Sequence, residues 1–490
     1  ATLSHVATRW GTSHSWCFTE PPLLDLTNRP MDEAVGCRQK GARQALFSIA
    51  FAGAFLTASI AVLSPLKAQI QTELGCTDVQ TGLPAFATQF SQVAAAAFSG
   101  IFASQKGVSR RFVLSMSCAV VSVSTCLIVV KPSIGLLCIL RVFVGAGYAC
   151  GMIIIPSLLV DYYPIPDRSY VFALFEVSCL LGGAFSYAIG AVIAEAMGWK
   201  AAVMTVGAPC LIASAAVNFI REPKQGINDV NAVEEGTSTV AKYHKVLSNQ
   251  HFLVIVAVSI MNTFAESALA DWFPTLLQRF DGQSVRTAGL ECAFAGILGG
   301  LFGSILGAKA IRNFQESGKN IELLAPGVAT MATIWPCLAL LSFQMQNIFS
   351  IVALSAAYMS AFTLSSVCLS VLLTKVFPSS QISLAVSVRQ LCTSGLGTAV
   401  APVITGWLSD RTHSLRSALH LPLGVQLASG FLLLTSSRIL SAVASCSTVE
   451  AHKASLQSLF STEDEHEPGG LLAEKSKSLA YGSLASLEAD

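Results

Sequence analysis

Twelve apolar runs, each near the roughly 20 residues an α-helix needs to cross a bilayer, set the limits on this chain. A window of about 19 residues finds them starting near Gln44, Thr81, Arg111, Ile134, Tyr170 and Trp199, and again near His251, Ala288, Glu322, Asn347, Ser383 and Leu421, the last being the weakest. Backbone N–H and C=O groups have no water to pair with in lipid, so each run must close its hydrogen bonds internally as a helix. In 490 residues, twelve such helices leave room for short loops and hardly any folded domain outside the bilayer. The charge supply agrees, because charged residues make up 12% of the chain, against about 25% in a soluble domain. A soluble enzyme is nearly excluded. Lys+Arg 30 against Asp+Glu 29 leaves a net charge of +1, so no global basic field exists to gather nucleic acid.

The runs fall into two sets of six. Residues 1–43 form a polar N-terminal segment without the compact apolar core of a secretory signal, so insertion is expected to be directed by the first span. Residues 44–220 form one six-helix bundle, 221–250 a polar linker reading REPKQGINDVNAVEEGTSTVAKYHKVLSNQ, 251–441 a second bundle, and 442–490 a disordered Ser- and Glu-rich tail. The expected fold is an all-α membrane protein with twelve transmembrane helices in two pseudo-symmetric bundles. Weak internal matches support duplication. GIFASQKGVSRR (Gly100 to Arg111) and GSILGAKAIRNF (Gly303 to Phe314) both end a second span in basic residues. Gly183 and Gly190 in the fifth span correspond to Gly395 and Pro402 in the eleventh. Gly182, Gly183, Gly190, Gly296, Gly299 and Gly303 are expected to let helices pack closely.

Lys and Arg divide about fifteen to seven in favour of one set of loops, which places both termini in the cytoplasm. The 14 cysteines are scattered, with no CxxC pair, and read as small buried hydrophobes; no metal or cofactor site is expected. No GxxxxGK[ST] loop, HExxH or GxSxG occurs, so neither an ATP-driven engine nor an embedded enzyme is encoded by these signatures.

At this point the residues resemble the major facilitator superfamily, and within it the Spinster-like branch. LRVFVGAGYACGMIIIPSLLVDYYP (Leu140 to Pro164) is similar to that branch's fourth helix, and GGAFSYAIG (Gly182 to Gly190), GWKAAV (Gly198 to Val203) and REPKQG (Arg221 to Gly226) follow in the family's order. ALADWFPTLL (Ala268 to Leu277), AGILGGLFGSILGAK (Ala295 to Lys309) and APVITGWLSD (Ala401 to Asp410) resemble its seventh, eighth and eleventh helices. The resemblance implies the major facilitator fold over about residues 44 to 440. It also implies gating contacts in the cytoplasmic loops, assigned here to Lys106, Arg110, Arg111, Asp161 and Arg168. Departures are plain: Ser104 and Gln105 stand where the family's Asp-Arg latch would be, Tyr148 stands seven residues after Arg141 where the branch has an acid, and the first helix carries no charge.

A charge at the bilayer centre costs about 2.5 to 3.5 kcal/mol even on lenient scales, so each must face a cavity or a partner. Arg141 is expected to anchor an anionic substrate group, or else to hold a neighbouring helix. Glu176, two turns into its span, is the candidate proton carrier, paired with Arg141, with a fixed salt bridge as the competing reading. Glu266 and Asp271, five residues and a net ~140° apart, should face differently, Glu266 the cavity and Asp271 a solvated rim. Tyr148, Trp272 and Arg389 complete the expected substrate contacts, and Phe175, Tyr187 and Phe273 are expected to line the cavity with them. The expected function is secondary active or facilitative transport of a small organic or amphipathic solute, anionic and lysolipid-like, with protons as a coupling partner and a monomer as the working unit. The alternative is a non-transporting sensor of the same fold. EPGGLL (Glu467 to Leu472) has acidic dileucine spacing, so the expected location is the plasma or an endolysosomal membrane.

Overall fold

The computed structural model describes residues 41–104, 109–130, 132–223, 246–316, 324–342, 347–377 and 379–435, and among the described residues every regular element is a helix. The first set is α1 (Ala42–Ala61), the short α2 (Lys67–Leu74), α3 (Asp78–Ser104), α4 (Arg110–Leu127), α5 (Ile134–Tyr162) and α6 (Ile165–Met197). It closes with α7 (Trp199–Gly207) and α8 (Pro209–Asn218), one span divided at Pro209, which lacks the N–H to continue the ladder. The second set is α9 (Gln250–Phe280), α10 (Val285–Glu316), the pair α11 (Leu324–Ala332) and α12 (Ile334–Ser342), α13 (Ile348–Val376), α14 (Ser379–Cys392), α15 (Ala401–Thr412) and α16 (Leu415–Thr435). Among the described residues, ten helices are long and apolar enough to cross a membrane. The 27-residue α3 and the α11–α12 pair supply the other two crossings of the twelve-helix fold.

Two helices begin five or more residues ahead of their apolar runs. The helix α6 starts at Ile165 rather than Tyr170, because Pro164 holds the extended N-cap, Pro166 is preset for the first turn, and Asp167 and Arg168 in that turn interrupt the apolar run. At α16, Ser414 accepts from the Ser417 N–H and starts the helix six residues before Leu421. Elsewhere Ser109, Ser133, Asn249 and Asn347 cap α4, α5, α9 and α13 through side-chain oxygens. Gly75, at φ 63°, ends α2 in the left-handed region that glycine enters without steric cost, and so turns the chain into α3.

Inside the first bundle, polar atoms hold α4 to α7 and α8. Ser115 donates to the Ser214 carbonyl at 3.0 Å, Ser122 to the Gly207 carbonyl at 2.9 Å, and Asn218 to Ser115 at 2.6 Å. Three of the six glycines named above leave no room for a side chain against a neighbouring helix. A Cβ would lie 2.0 Å from the Ala54 carbonyl oxygen at Gly182, 2.4 Å from the Met359 Cβ at Gly299, and 2.5 Å from the Ser360 carbonyl oxygen at Gly303. At the other three a Cβ would meet no atom so close. Gly190 makes ordinary contact with Val206 at 3.7 Å, Gly183 has one neighbour at 3.9 Å, and Gly296 has none within 4 Å, since Gly183 and Gly296 border open space.

At the end of the molecule where α4 begins, the basic loop residues are bound into the first bundle. Arg110 is buried and pairs with Asp161 at 2.6 Å, while the Glu222 carboxylate takes the Arg110 and Arg111 backbone N–H groups at 3.0 and 3.1 Å. A carboxylate on the free N–H groups of a helix start is favoured by hydrogen bonding and by the helix dipole. Arg111 reaches the Ile220 carbonyl at 2.8 Å, and Arg168 the Tyr163 and Val160 carbonyls at 3.3 Å. Lys106 lies outside the described residues. Removing one partner of a buried pair leaves an uncompensated charge, at a cost of about 3 to 5 kcal/mol. Arg110→Leu should therefore lower the melting temperature of the purified protein sharply, and Arg110→Leu with Asp161→Leu should recover part of the loss; equal loss in both would contradict the pairing.

The two bundles meet along α6 against α10 and along α3 against α15. Between α14 and α15 the chain takes a π-helical turn over Thr393–Thr398, where Gly397 admits α9 so closely that a Cβ would lie 2.2 Å from the Thr263 Oγ1. Pro402 then opens α15.

Candidate functional site

Three spans that carry charges within their apolar runs, α5, α6 and α9, border two cavities at the seam between the bundles. The first, about 250 Å³, is lined by Lys67, Thr88, Gln89, Arg141, Glu266 and Asp271 among others. The second, about 510 Å³, is mainly apolar, with Met152, Leu180, Leu269, Phe273 and Met359 in its wall beside Tyr148 and Glu176. Tyr187, Glu266 and Ala270 line both, so the polar chamber and the apolar one are neighbours across a shared wall. The Tyr187 hydroxyl donates to the Ala270 carbonyl at 3.0 Å, tying α6 of one bundle to α9 of the other within that wall.

Arg141 is 2% exposed. Its Nη1 donates to the Ser59 carbonyl at 2.8 Å, and among the described residues its Nε has no hydrogen-bond partner and no carboxylate pairs with it. A guanidinium offers five donors, so an incompletely bonded one facing a cavity retains capacity for an anion. Tyr148 follows on the same face of α5, since seven residues advance the helix by about two turns, and it lines the apolar cavity.

The expected pairing of Arg141 with Glu176 is not formed. Arg141 lines the polar chamber and Glu176 the apolar one, where it is exposed rather than buried and has no ion-pair partner among the described residues. Depth explains the separation: α5 and α6 run antiparallel, and Arg141 sits two turns from the start of its helix while Glu176 sits three turns from the start of the other. Glu266 lines both cavities. Asp271 does not sit on a solvated rim; its carboxylate pairs with the buried Lys67 and accepts from Ser64 at 2.9 Å. Trp272 lines neither cavity. It is fully buried, donates to the Pro402 carbonyl at 3.0 Å and lies under the Lys67 ammonium, 3.9 Å from its ring centre. Arg389 also lines neither cavity and donates to Ser370 at 3.2 Å. Phe175 is buried against Gly53, whereas Tyr187 and Phe273 are in the cavity wall.

The polar chamber is sealed at the end carrying α2 by contacts between the bundles. Arg279 grips both oxygens of Asp78 at 2.8 and 3.0 Å and also reaches Gln71. Asp410, from α15, receives the Asp78 and Val79 backbone N–H groups at 2.9 Å each, so one bundle caps the first turn of a helix in the other. Gln278 donates to the Pro65 carbonyl at 3.1 Å, and Gly82 and Gly406 bring α3 and α15 together backbone to backbone. Beside this seal, hydrogen bonds from Lys200 and then Trp199 hold the Glu73 carboxyl below the usual carboxylate range. Sequence reading missed Lys67, Asp78, Arg279 and Asp410 because each lies at a span end, where a charge needs no explanation. Asp410→Ala should loosen the seal, giving faster hydrogen exchange in residues 76–82; unchanged exchange there would contradict the capping role.

Two bundles of six membrane-crossing helices with a cavity pair at their seam define a multi-pass membrane protein of the major facilitator fold. The sequence profile of the Major Facilitator Superfamily matches residues 49–402, and the chain belongs to that superfamily of transporters. It is similar to the sphingosine-1-phosphate transporter SPNS2 of Danio rerio, 24% identical over 328 residues, covering 62% of this chain and 63% of that one. It is also similar to Protein spinster of Drosophila melanogaster, 22% identical over 43% of this chain and 36% of that one. The chain thus spans less than two thirds of the length of these relatives. Among solved structures, a bacterial homolog of the human lysosomal transporter Spinster, inward-facing and unoccupied, shares the fold with TM-score 0.67 and 17% identity, over 83% of this chain and 97% of that one. The nucleoside transporter NupG, as a point mutant, does so with TM-score 0.67 and 12% identity, over 80% of this chain and 99% of that one. The comparisons give the sensor reading no support.

Proposed function

We propose that this protein is an alternating-access carrier for an anionic amphiphile, whose charged head seats against Arg141 in the polar chamber while its tail occupies the apolar one. The observation that carries the reading is the buried, incompletely bonded Arg141 beside an apolar cavity of about 510 Å³. The similarity to a sphingosine-1-phosphate transporter points to the same ligand class. The positive-inside bias puts the α2 seal on the exterior face, so the conformation described is the one closed to the outside. Rocking of the two bundles about the seam would break that seal and expose the same chambers outward.

No ATP-binding signature is present, so the driving force is the solute gradient or a proton gradient. Glu176 and Glu266 are the two cavity carboxyls without an ion-pair partner among the described residues, and either can take a proton without breaking a salt bridge. We assign coupling to Glu176, as the carboxyl open to the apolar cavity. In proteoliposomes, uptake of labelled lysophosphatidate should rise with an inward proton gradient, and Glu176→Gln should remove the stimulation while leaving downhill flux. Stimulation that survives Glu176→Gln would assign coupling elsewhere.

A further inference from the structure

The polar chamber is lined by two cations and two acids, of which only Lys67 and Asp271 are bonded to each other among the described residues. Lys67 and Arg141, both from the first bundle and 3% and 2% exposed, line the same cavity of about 250 Å³. Asp271, from the second bundle, is bonded to Lys67 and to Ser64, and it attracts Arg141 without bonding to it. Glu266, the other acid in the wall, pairs with neither cation. The next charges outward, Asp78 and Arg279, satisfy each other. The contact between Lys67 and Asp271 is therefore at once part of the wall of the anion chamber and a tether between the bundles at the sealed end.

We propose that the anionic head of the solute is shared by Arg141 and Lys67, and that it releases the α2 seal by taking Lys67 from Asp271. This assigns Lys67 as a second head-group residue and makes the charge of the solute the signal for opening; it rests on the carrier reading given above. Lys67 has one ammonium to place, and a phosphate brings more negative charge to it than a single carboxylate while also completing the bonding of Arg141. Asp271 keeps the Ser64 hydroxyl and gains water as the seal parts. A neutral amphiphile of the same length fills the apolar cavity but leaves the tether intact. The device selects charge twice, in binding at Arg141 and in opening at Lys67.

Hydrogen–deuterium exchange of the full chain in nanodiscs tests this without new cysteines. Oleoyl lysophosphatidate is compared with oleoylglycerol, which lacks the phosphate, and exchange is read in residues 62–79 and 268–282. Lysophosphatidate should speed exchange there about tenfold, the change expected from one lost charge-assisted hydrogen bond, and oleoylglycerol should not. In Lys67→Gln the same segments should exchange fast with or without lysophosphatidate, whereas Lys67→Arg should keep the ligand response. Equal loosening by both lipids, or an undiminished response in Lys67→Gln, overturns the proposal. Lysophosphatidate that binds and exchanges across the membrane but leaves these segments unchanged overturns it while the carrier reading stands. Lysophosphatidate that neither binds nor crosses overturns both. The wild-type comparison needs no variant, so a misfolded substitution cannot decide the outcome.

Discussion

Arg141→Ala removes the anion anchor and should lower kcat/KM for lysophosphatidate by roughly 100-fold or more, because each hydrogen bond to a charged group contributes about 1.5 to 3 kcal/mol and each 1.4 kcal/mol is tenfold. Arg141→Lys should recover little of it. An ammonium is a point charge on a flexible stem, and it cannot reach the Ser59 carbonyl and present a planar fork to a head group together. The effect should depend on the solute: flux of a neutral amphiphile, however slow, should fall far less. Because the guanidinium also ties α5 to α1, the measurement pairs initial rates with the melting temperature of the purified variant. A folded Arg141→Ala that carries lysophosphatidate at the wild-type rate would remove the head-group role and leave Arg141 as a structural link.

Gly182→Val should fail to fold. A Cβ at this position would stand 2.0 Å from the Ala54 carbonyl oxygen, and that atom belongs to the backbone of α1, which cannot move aside as a side chain can. Overpacking of this kind belongs to the large-effect tail of substitutions, above about 4 kcal/mol. The contrast is Gly296→Ala, where nothing lies within 4 Å and the new methyl projects into the apolar cavity. That variant should keep or slightly raise the melting temperature, as Gly→Ala does where the backbone allows it. The yield of monodisperse protein and its melting temperature decide both, and normal folding of Gly182→Val would contradict the close approach of α1 and α6.

The spans were legible because each is fixed by hydrocarbon thickness, a property of single segments. Start positions read from the apolar runs fall within a few residues of the helices, and the two that differ most, α6 and α16, were displaced by Pro164 and Ser414, which act on the backbone and leave no hydropathy signal. Arg141 and Glu266 stood out for the same reason, as charges inside an apolar run. What hydropathy does not carry is the depth and rotation at which helices meet. Arg141 and Glu176 therefore looked like partners although the antiparallel run of α5 and α6 sets them in different chambers. Lys67 shows the opposite failure: two residues after Pro65 it reads as a loop charge, yet the short α2 folds it back under the seal, where Asp271 and Trp272 bury it. Gly182 and Gly296 are alike in sequence, and only the helix each faces separates a packing position from a cavity wall.

The central claim is that one solute passes through these chambers by exchange, and counterflow tests it most directly. Proteoliposomes loaded with unlabelled lysophosphatidate are diluted into labelled lysophosphatidate with no ion gradient, and the label is followed with time. Label should accumulate transiently above its equilibrium level in the wild type and not in Arg141→Ala. Saturable binding of lysophosphatidate without any such overshoot would contradict it.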